Sequence, residues 1–271
     1  MIKVAFQGDR GAFSEDATIK LFGCDVAFFP CTHLKDVFQA ASESKIDFGV
    51  IPIENSQAGS INEAYDLLLA YPLNIYAEVI LRISHCLMAL PGENLAEITT
   101  IYSHPQALAQ CDEFLSTLNA KVVPAHDTAG SARMIKEKHL RKCAAVASSR
   151  AAEIYGLKSL AAKIENNINN YTRFFAISKQ KAKQGRKNKT SLVFAARHVP
   201  GALYRILGIF ANKNINLTKL ESRPSKSKPW EYMFYVDLET HINEQACQQA
   251  TSELQKEATF LKILGSYPQA E

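Results

Sequence analysis

Five times between Ile2 and Tyr155 the sequence repeats one theme: a short β-rich run, a polar turn, then an amphipathic helix pattern. The pairs are Ile2–Gln7 with Glu15–Phe22, Phe48–Ile53 with Ile61–Ala70, Ile98–Ser103 with Pro105–Leu118, Lys121–Ala125 with Ala129–Lys138, and Cys143–Ala147 with Arg150–Tyr155. Gly23 and Gly156 stop the first and last helices, and Pro105 suits a first helical position. Strands alternating with helices fold into parallel sheets covered on both faces. Such sheets bind ligands beyond the carboxyl ends of their strands, where this chain places its polar turns. From Leu73 to Leu90 the pattern is β-rich with no helix between, which suits strands crossing from one lobe to another. Thr172–Ser178 is expected to return to the first lobe. The fold class is therefore α/β, with two lobes around a cleft.

A basic run follows. Lys179, Lys181, Lys183, Arg186, Lys187 and Lys189 supply six positive charges with no acid between Ser178 and Thr190. The chain has 31 Lys and Arg against 27 Asp and Glu, a net charge of +4; without the run 25 face 27, a net of −2. The basic balance is thus one local stretch without interleaved aromatics, which reads as a solvated linker over 179–189 and not as a nucleic-acid face. Beyond it the order is β-α-β-β-α-β: Ser191–Ala196, Gly201–Asn212, Asn216–Glu221, Tyr232–Leu238 across a Ser/Lys/Pro turn, Glu244–Lys256 and Phe260–Gly265. That order is ferredoxin-like. It holds no obvious pair of carboxylates or nucleophile with a base, so regulation or assembly is expected there.

Several classes are excluded. No uncharged apolar run approaches the roughly 20 residues of a membrane-spanning helix. The six cysteines form no Cys-x-x-Cys pair and lie near no spaced histidines, so neither a metal site nor a disulfide framework is expected. Residues Met1–Asp9 meet charge and turn chemistry too early for a secretory leader, which makes the cytoplasm the expected location.

Three turns carry more polarity than a turn needs. Gly8–Glu15 joins a strand to a helix whose free N–H groups suit an anion such as a carboxylate, although taken alone the turn reads first as a helix start capped by Ser14. It has neither the spacing of a dinucleotide fingerprint nor the Gly-Lys-Ser/Thr of a P-loop. Pro52–Ser60 ends an apolar strand in Glu54, Asn55, Ser56, Gln57 and Ser60; Ser60 is the expected cap, which leaves Glu54 and Asn55 for a site. Ser103-His104-Pro105-Gln106 opens a helix that carries Gln110 one turn beyond Gln106. Asp127 and Ser148 read as caps. Arg173 opens an apolar strand, which is costly unless it meets an anion or a partner.

Taken in order, Gly-x-x-Gly-Ala-Phe-Ser-Glu at 8–15, Pro-Ile-Glu-Asn-Ser at 52–56, Ser-His-Pro-Gln at 103–106, Thr-Arg-Phe at 172–174 and Glu-Ser-Arg-Pro at 221–224 resemble prephenate dehydratase with a C-terminal ACT domain. The resemblance covers about residues 2–267. It implies a two-lobed catalytic domain like the type II periplasmic binding proteins over 1–178, with lobe 1 at about 1–75 and 171–178 and lobe 2 at about 76–170. The linker 179–189 and a regulatory ACT domain over 190–271 follow. The implied reaction converts prephenate to phenylpyruvate, water and carbon dioxide in phenylalanine biosynthesis, with no metal or other cofactor.

The resemblance also implies roles. Thr172 acts on the departing hydroxyl, together with a water or another residue such as Glu54. Arg173 holds a carboxylate by a bidentate fork. Asn55, Ser103, Gln110 and Phe174 line the cleft, and the amides of Ala12, Phe13 and Ser14 receive the second carboxylate. Asp9-Arg10 stands where Gly-Pro is common, and Arg10 either strengthens that anion site or points to solvent. In the ACT domain, Gly201, Ala202 and Leu203 with Glu221, Ser222, Arg223 and Pro224 are implied to bind L-phenylalanine as feedback inhibitor between two copies, in a homodimer or homotetramer. Arogenate dehydratase, the same chemistry on the aminated side chain, is the nearest alternative. A non-catalytic two-lobed binding protein is the alternative from another class.

Overall fold

A computed structural model describes residues 1–225 and 231–270. Two compact units emerge, one from Met1–Ala64 with Val79–Phe174 and one from Tyr65–Glu78 with Phe175 onward. The chain runs β1 (Ile2–Gln7), α1 (Phe13–Phe22), β2 (Val26–Cys31), α2 (Leu34–Ser42), β3 (Phe48–Asn55), β4 (Gly59–Ser60), α3 (Asn62–Ala70) and β5 (Asn74–Arg82). It continues through β6 (Cys86–Ala89), β7 (Thr100–Ser103), α4 (Pro105–Ala109), α5 (Asp112–Ser116), β8 (Lys121–Pro124), α6 (Thr128–Glu137), β9 (Cys143–Ala147), α7 (Ser149–Tyr155), β10 (Lys158–Ala162) and β11 (Tyr171–Ser178).

One sheet has the order β2-β1-β3-β11-β5, with β4 on β3, and another the order β10-β6-β9-β7-β8. Both are parallel at the centre, β1 with β2 and β3, and β7 with β8 and β9. In the second sheet the crossover strand β6 adds an antiparallel edge with β9 and β10. Parallel strands are covered on both faces and read as unbroken apolar runs. In β3, Val50, Ile51 and Ile53 are fully buried. β9 is built from small residues, so helices approach it closely on both sides. Ala145 and Ala147 pack with Ala129, Ala132 and Ala151 of α6 and α7. Ala144 and Val146, on the opposite face, pack with Leu108, Cys111 and Leu115.

Caps were partly foreseeable. Asp127 and Ser148 accept N–H bonds from Gly130 and Ala151, as expected. Ser14 does not cap: α1 begins at Phe13 with Ala12 at the cap position. Ser60 lies in β4, and Ser103 gives its hydroxyl to the Val146 carbonyl while His104 Nδ1 caps α4. The single helix expected over 105–118 is broken, because the Gln110 carbonyl accepts from the Asn166 amide at 2.8 Å and the helix ends there. Among the described residues no helix is long and apolar enough to cross a membrane.

The second unit adds β12 (Asn188–Ala196), α8 (Ala202–Ala211), β13 (Leu217–Pro224), β14 (Tyr232–Leu238), α9 (Gln245–Glu257) and β15 (Ala258–Pro268). Its antiparallel sheet has the order β13-β14-β12-β15, the expected ferredoxin-like arrangement, with Leu192, Phe194 and Val236 packed against Ile206, Phe210, Ala250 and Leu254 of the helices. The Ser/Lys/Pro turn between β13 and β14 falls mainly on 226–230, outside the described residues. Two boundaries differ from the sequence reading. The basic run ends inside β12, where buried Lys189 pairs with Glu78 at 3.0 Å. Residues 65–78, expected in the first lobe, pack with the C-terminal unit. Lys262 Nζ donates to the Leu68, Leu69 and Tyr71 carbonyls at the end of α3, and Arg223 meets Asp66 at 2.9 Å.

Gly265 of β15 lies so close to the Ile75 backbone that a Cβ would overlap it. Gly265→Ala is expected to lower unfolding free energy by about 1–3 kcal/mol in chemical denaturation, the usual range for an overpacked interior.

Candidate active site

The polar turns of both sheets of the first unit converge on one cavity of about 840 Å³. From the first sheet come Gly8, Asp9, Ala12, Phe13 and Ser14 after β1, Asn55 at the end of β3, and Thr172 and Phe174 on β11. From the second come His104, Gln106 and Gln110 of α4, Asp127 and Arg133 at and in α6, and His85 just before β6.

The turn at 8–15 is fastened to the second sheet's helices. Gly8 and Gly11 have positive φ values of 104° and 85°, and a Cβ on Gly11 would meet the Ala151 Cα at 2.7 Å, so only glycine allows the approach. Ser148 Oγ donates to the Gly11 carbonyl at 2.6 Å and Tyr155 to that of Arg10 at 2.9 Å. Fully buried Glu15 accepts from the Gly11 amide and from the guanidinium groups of Arg10 and Arg150. Arg10 also lies over the Phe28 ring, so it braces the turn and is absent from the cavity wall. The Ala12 amide is taken by the Asp9 carbonyl. The amides of Phe13 and Ser14, in the first turn of α1, have no intrahelical acceptor and lie on the wall.

The cavity floor is a run of amide side chains, buried at Asn55 and Asn170 and half-buried at Gln110. Asn55 Oδ1 accepts from the backbone N–H groups of Gln57 and Ala58 at 3.1 and 3.0 Å, so its Nδ2 must face the other way. That nitrogen donates to Thr172 Oγ1 at 3.0 Å and to Asn170 Oδ1 at 2.8 Å. Asn170 Nδ2 then reaches Gln110 Oε1 at 3.0 Å, and His85 Nε2 meets the same oxygen at 3.1 Å. Thr172 Oγ1, on the cavity wall, therefore accepts from Asn55.

Charge at the wall is mixed. Arg133 pairs with Asp9 at 2.8 Å, and Asp127 takes the Asp9 amide. Burial, and then the Asp127 carboxylate, push the Asp9 carboxyl above its ordinary range despite Arg133. Burial lowers His85 and His104, which favours neutral imidazoles. Among the described residues no three His, Cys, Asp or Glu side chains are grouped to hold a metal ion.

A family model for prephenate dehydratase matches residues 4–182, and one for the ACT domain matches 190–254. The chain belongs to the prephenate dehydratase family. "Arogenate dehydratase/prephenate dehydratase 2, chloroplastic" of Arabidopsis thaliana is 42% identical over 279 residues, 98% of this chain and 73% of that protein. The solved prephenate dehydratase of Arthrobacter aurescens in complex with L-Phe has a TM-score of 0.90 at 31% identity, over 98% of this chain and 90% of that one. GqqA, called a novel type of quorum quenching acylase, has a TM-score of 0.89 at 33% identity, over 98% of both chains. Prephenate and arogenate dehydratases are hydro-lyases, and this chain is an enzyme of that class.

Of the residues expected at the dehydratase site, Thr172, Phe174, Asn55, Gln110, Ala12, Phe13 and Ser14 line the one cavity. Arg173, Glu54 and Ser103 do not. Strand alternation puts Arg173 on the opposite face of β11 from Thr172 and Phe174, so the expected carboxylate fork is not part of the wall. Glu54 pairs with Ser60 in the β3–β4 hairpin, and the Ser103 hydroxyl is spent on Val146. The guanidinium that does line the wall, Arg133, was not foreseen; its signal was a basic residue six positions after the Asp127 cap of a site-facing helix. In the ACT domain, Gly201, Ala202 and Leu203 line a cleft of about 510 Å³ with Tyr232 and Phe234. Glu221, Ser222, Arg223 and Pro224 are not on its wall; they lie on the neighbouring strand β13, where Ser222 and Pro224 pair with Phe234 and Tyr232 and Arg223 is engaged by Asp66.

Next to Glu15, burial pushes the Asp16 carboxyl up to about 6 although Arg150 lies 3.8 Å away. A carboxyl raised in the folded state binds its proton more tightly there than when unfolded, so stability falls as pH rises from about 4 to about 6 and stays lower above. Asp16→Asn is expected to raise the melting temperature near neutral pH and to leave it unchanged near about pH 3, below both pKa values.

Proposed function

We propose that this enzyme carries out the decarboxylating dehydration of prephenate, with Thr172 as the hydrogen-bond donor to the departing ring hydroxyl. The placement of Thr172 carries this reading: its hydroxyl lines the cavity and accepts from the Asn55 amide, which leaves its proton available to the substrate. The ring C–O bond breaks as the hydroxyl, hydrogen-bonded by Thr172, takes up a proton that comes from solvent and leaves as water. The ring carboxylate departs as carbon dioxide, and its bonding pair completes the aromatic ring. The enzyme has to orient a dianion and assist one leaving group, which charge placement and a positioned donor accomplish. The Phe13 and Ser14 amides are suited to one carboxylate and Arg133 to the other, while Phe13 and Phe174 suit the forming ring. Acyl chemistry of the kind named for GqqA fits Thr172 poorly. A nucleophilic hydroxyl gives its proton to a base, and Thr172 has an amide N–H in that place.

L-Phenylalanine is the expected effector, in the cleft at Gly201–Leu203. Because Glu221–Pro224 adjoin this cleft through β14 but are not on its wall, we take the effector site to be completed by β13 of a second copy, which makes the enzyme a homo-oligomer.

One observation favours arogenate as an additional substrate. Among the charged residues of the cavity wall, Asp9, Glu63 and Asp127 outnumber Arg133, a better match to a substrate with an ammonium group than to a pure dianion.

Thr172→Val should lower kcat by about 10²–10⁴-fold with KM little changed, whereas Thr172→Ser should retain most of the rate, as followed by phenylpyruvate absorbance in base. A loss confined to KM assigns Thr172 to binding alone. Asp9→Asn should reduce kcat/KM for arogenate relative to prephenate by about tenfold, the size of one lost charge-assisted hydrogen bond. An unchanged ratio removes the arogenate reading.

A further inference from the structure

His85 is almost completely buried, lines the cavity and has no part in the chemistry above. The Gln57 and Ala58 amides fix the Asn55 oxygen, which makes Asn55 Nδ2 the donor to Asn170 Oδ1. Asn170 Nδ2 is then the donor to Gln110 Oε1. That oxygen can only accept, so His85 must carry its proton on Nε2. Nδ1 is left as a bare acceptor, buried and without a hydrogen-bond partner. The Phe13 ring stands edge-on to the imidazole at 5.4 Å, and the His85 backbone amide is held by Glu165. A buried imidazole with one nitrogen unsatisfied is a poor choice for packing alone.

We propose that His85 and Asn170 are positioning residues for Thr172: they keep the Gln110 and Asn170 amides in place, so that Asn170 Oδ1 stays committed to Asn55 and the threonine proton stays on the cavity side. The proposal rests on the dehydratase reading. Asn55 and Thr172 belong to the first sheet, and Gln110 and His85 to the second, so the run ties the two sheets together beneath the substrate. If His85 no longer donates, Gln110 is free to rotate its amide. Asn170 then loses the acceptor that orients it, and Asn55 loses its fixed partner. Thr172 can turn its proton inward to Asn170.

The test compares His85→Phe, which keeps the ring and removes the donor, with His85→Gln, whose side-chain N–H reaches a similar position. His85→Phe is expected to lower kcat by about 10- to 100-fold with KM within about threefold, and His85→Gln to recover most of the loss. Loss of less than about fivefold in His85→Phe, or His85→Gln as slow as His85→Phe, overturns the proposal. Nitrogen-15 NMR of the imidazole in the wild-type enzyme supplies a readout independent of turnover. It is expected to show Nε2 protonated and Nδ1 bare at neutral pH; the other tautomer or an imidazolium overturns the proposal even if every variant is slow. If the wild-type enzyme turns over neither prephenate nor arogenate, the dehydratase reading fails while the tautomer result still stands by itself.

Discussion

Two backbone amides, those of Gln57 and Ala58, grip the carbonyl oxygen of Asn55 and so decide the direction of every hydrogen bond across the cavity floor. An amide side chain has a donor end and an acceptor end, and in a buried run each choice forces the next. The oxygen of Thr172 becomes an acceptor from Asn55, which leaves its proton as the group available to a leaving hydroxyl. A threonine hydroxyl is a weak acid. Its proposed use is orientation and hydrogen bonding to a fragmentation that aromatisation of the ring already drives.

The floor would be useless without walls held at the right separation. The turn at 8–15 supplies this by crossing from the first sheet to the helices of the second. Gly11 permits contact with Ala151, and buried Glu15 gathers Arg10, Arg150 and the Gly11 amide. A buried carboxylate with two guanidinium partners is costly to break, because removal of one partner strands the others. The same turn presents the amides of Phe13 and Ser14 to the cavity, so the element that fixes the lobes is also the one proposed to receive a carboxylate.

Much of this was legible in the sequence where the determinants are local. β1, β9 and β14 have the bounds that β-rich runs and flanking turns imply, and Asp127 and Ser148 cap as their positions suggest. The turns that carry the site were recognisable from an excess of polar groups over what a loop requires. Features that depend on distant partners were not. The break between α4 and α5 comes from Asn166, more than fifty positions downstream of Gln110. Arg173 is conspicuous as a charge in an apolar strand and the family resemblance implies a carboxylate clamp, but strand alternation puts it on the other face of β11 from Thr172 and off the cavity wall. Arg133 was marked only by its distance from the Asp127 cap and His85 by nothing local; the rotation of α6 and the crossover before β6 bring them to the cavity.

The central claim concerns the position of one hydrogen atom, and neutron diffraction from deuterium-exchanged crystals locates it. The account predicts deuterium on Asn55 Nδ2 directed at Thr172 Oγ1 and the threonine hydroxyl deuterium directed into the cavity. A threonine deuterium directed at the Asn55 or Asn170 side chain would contradict it.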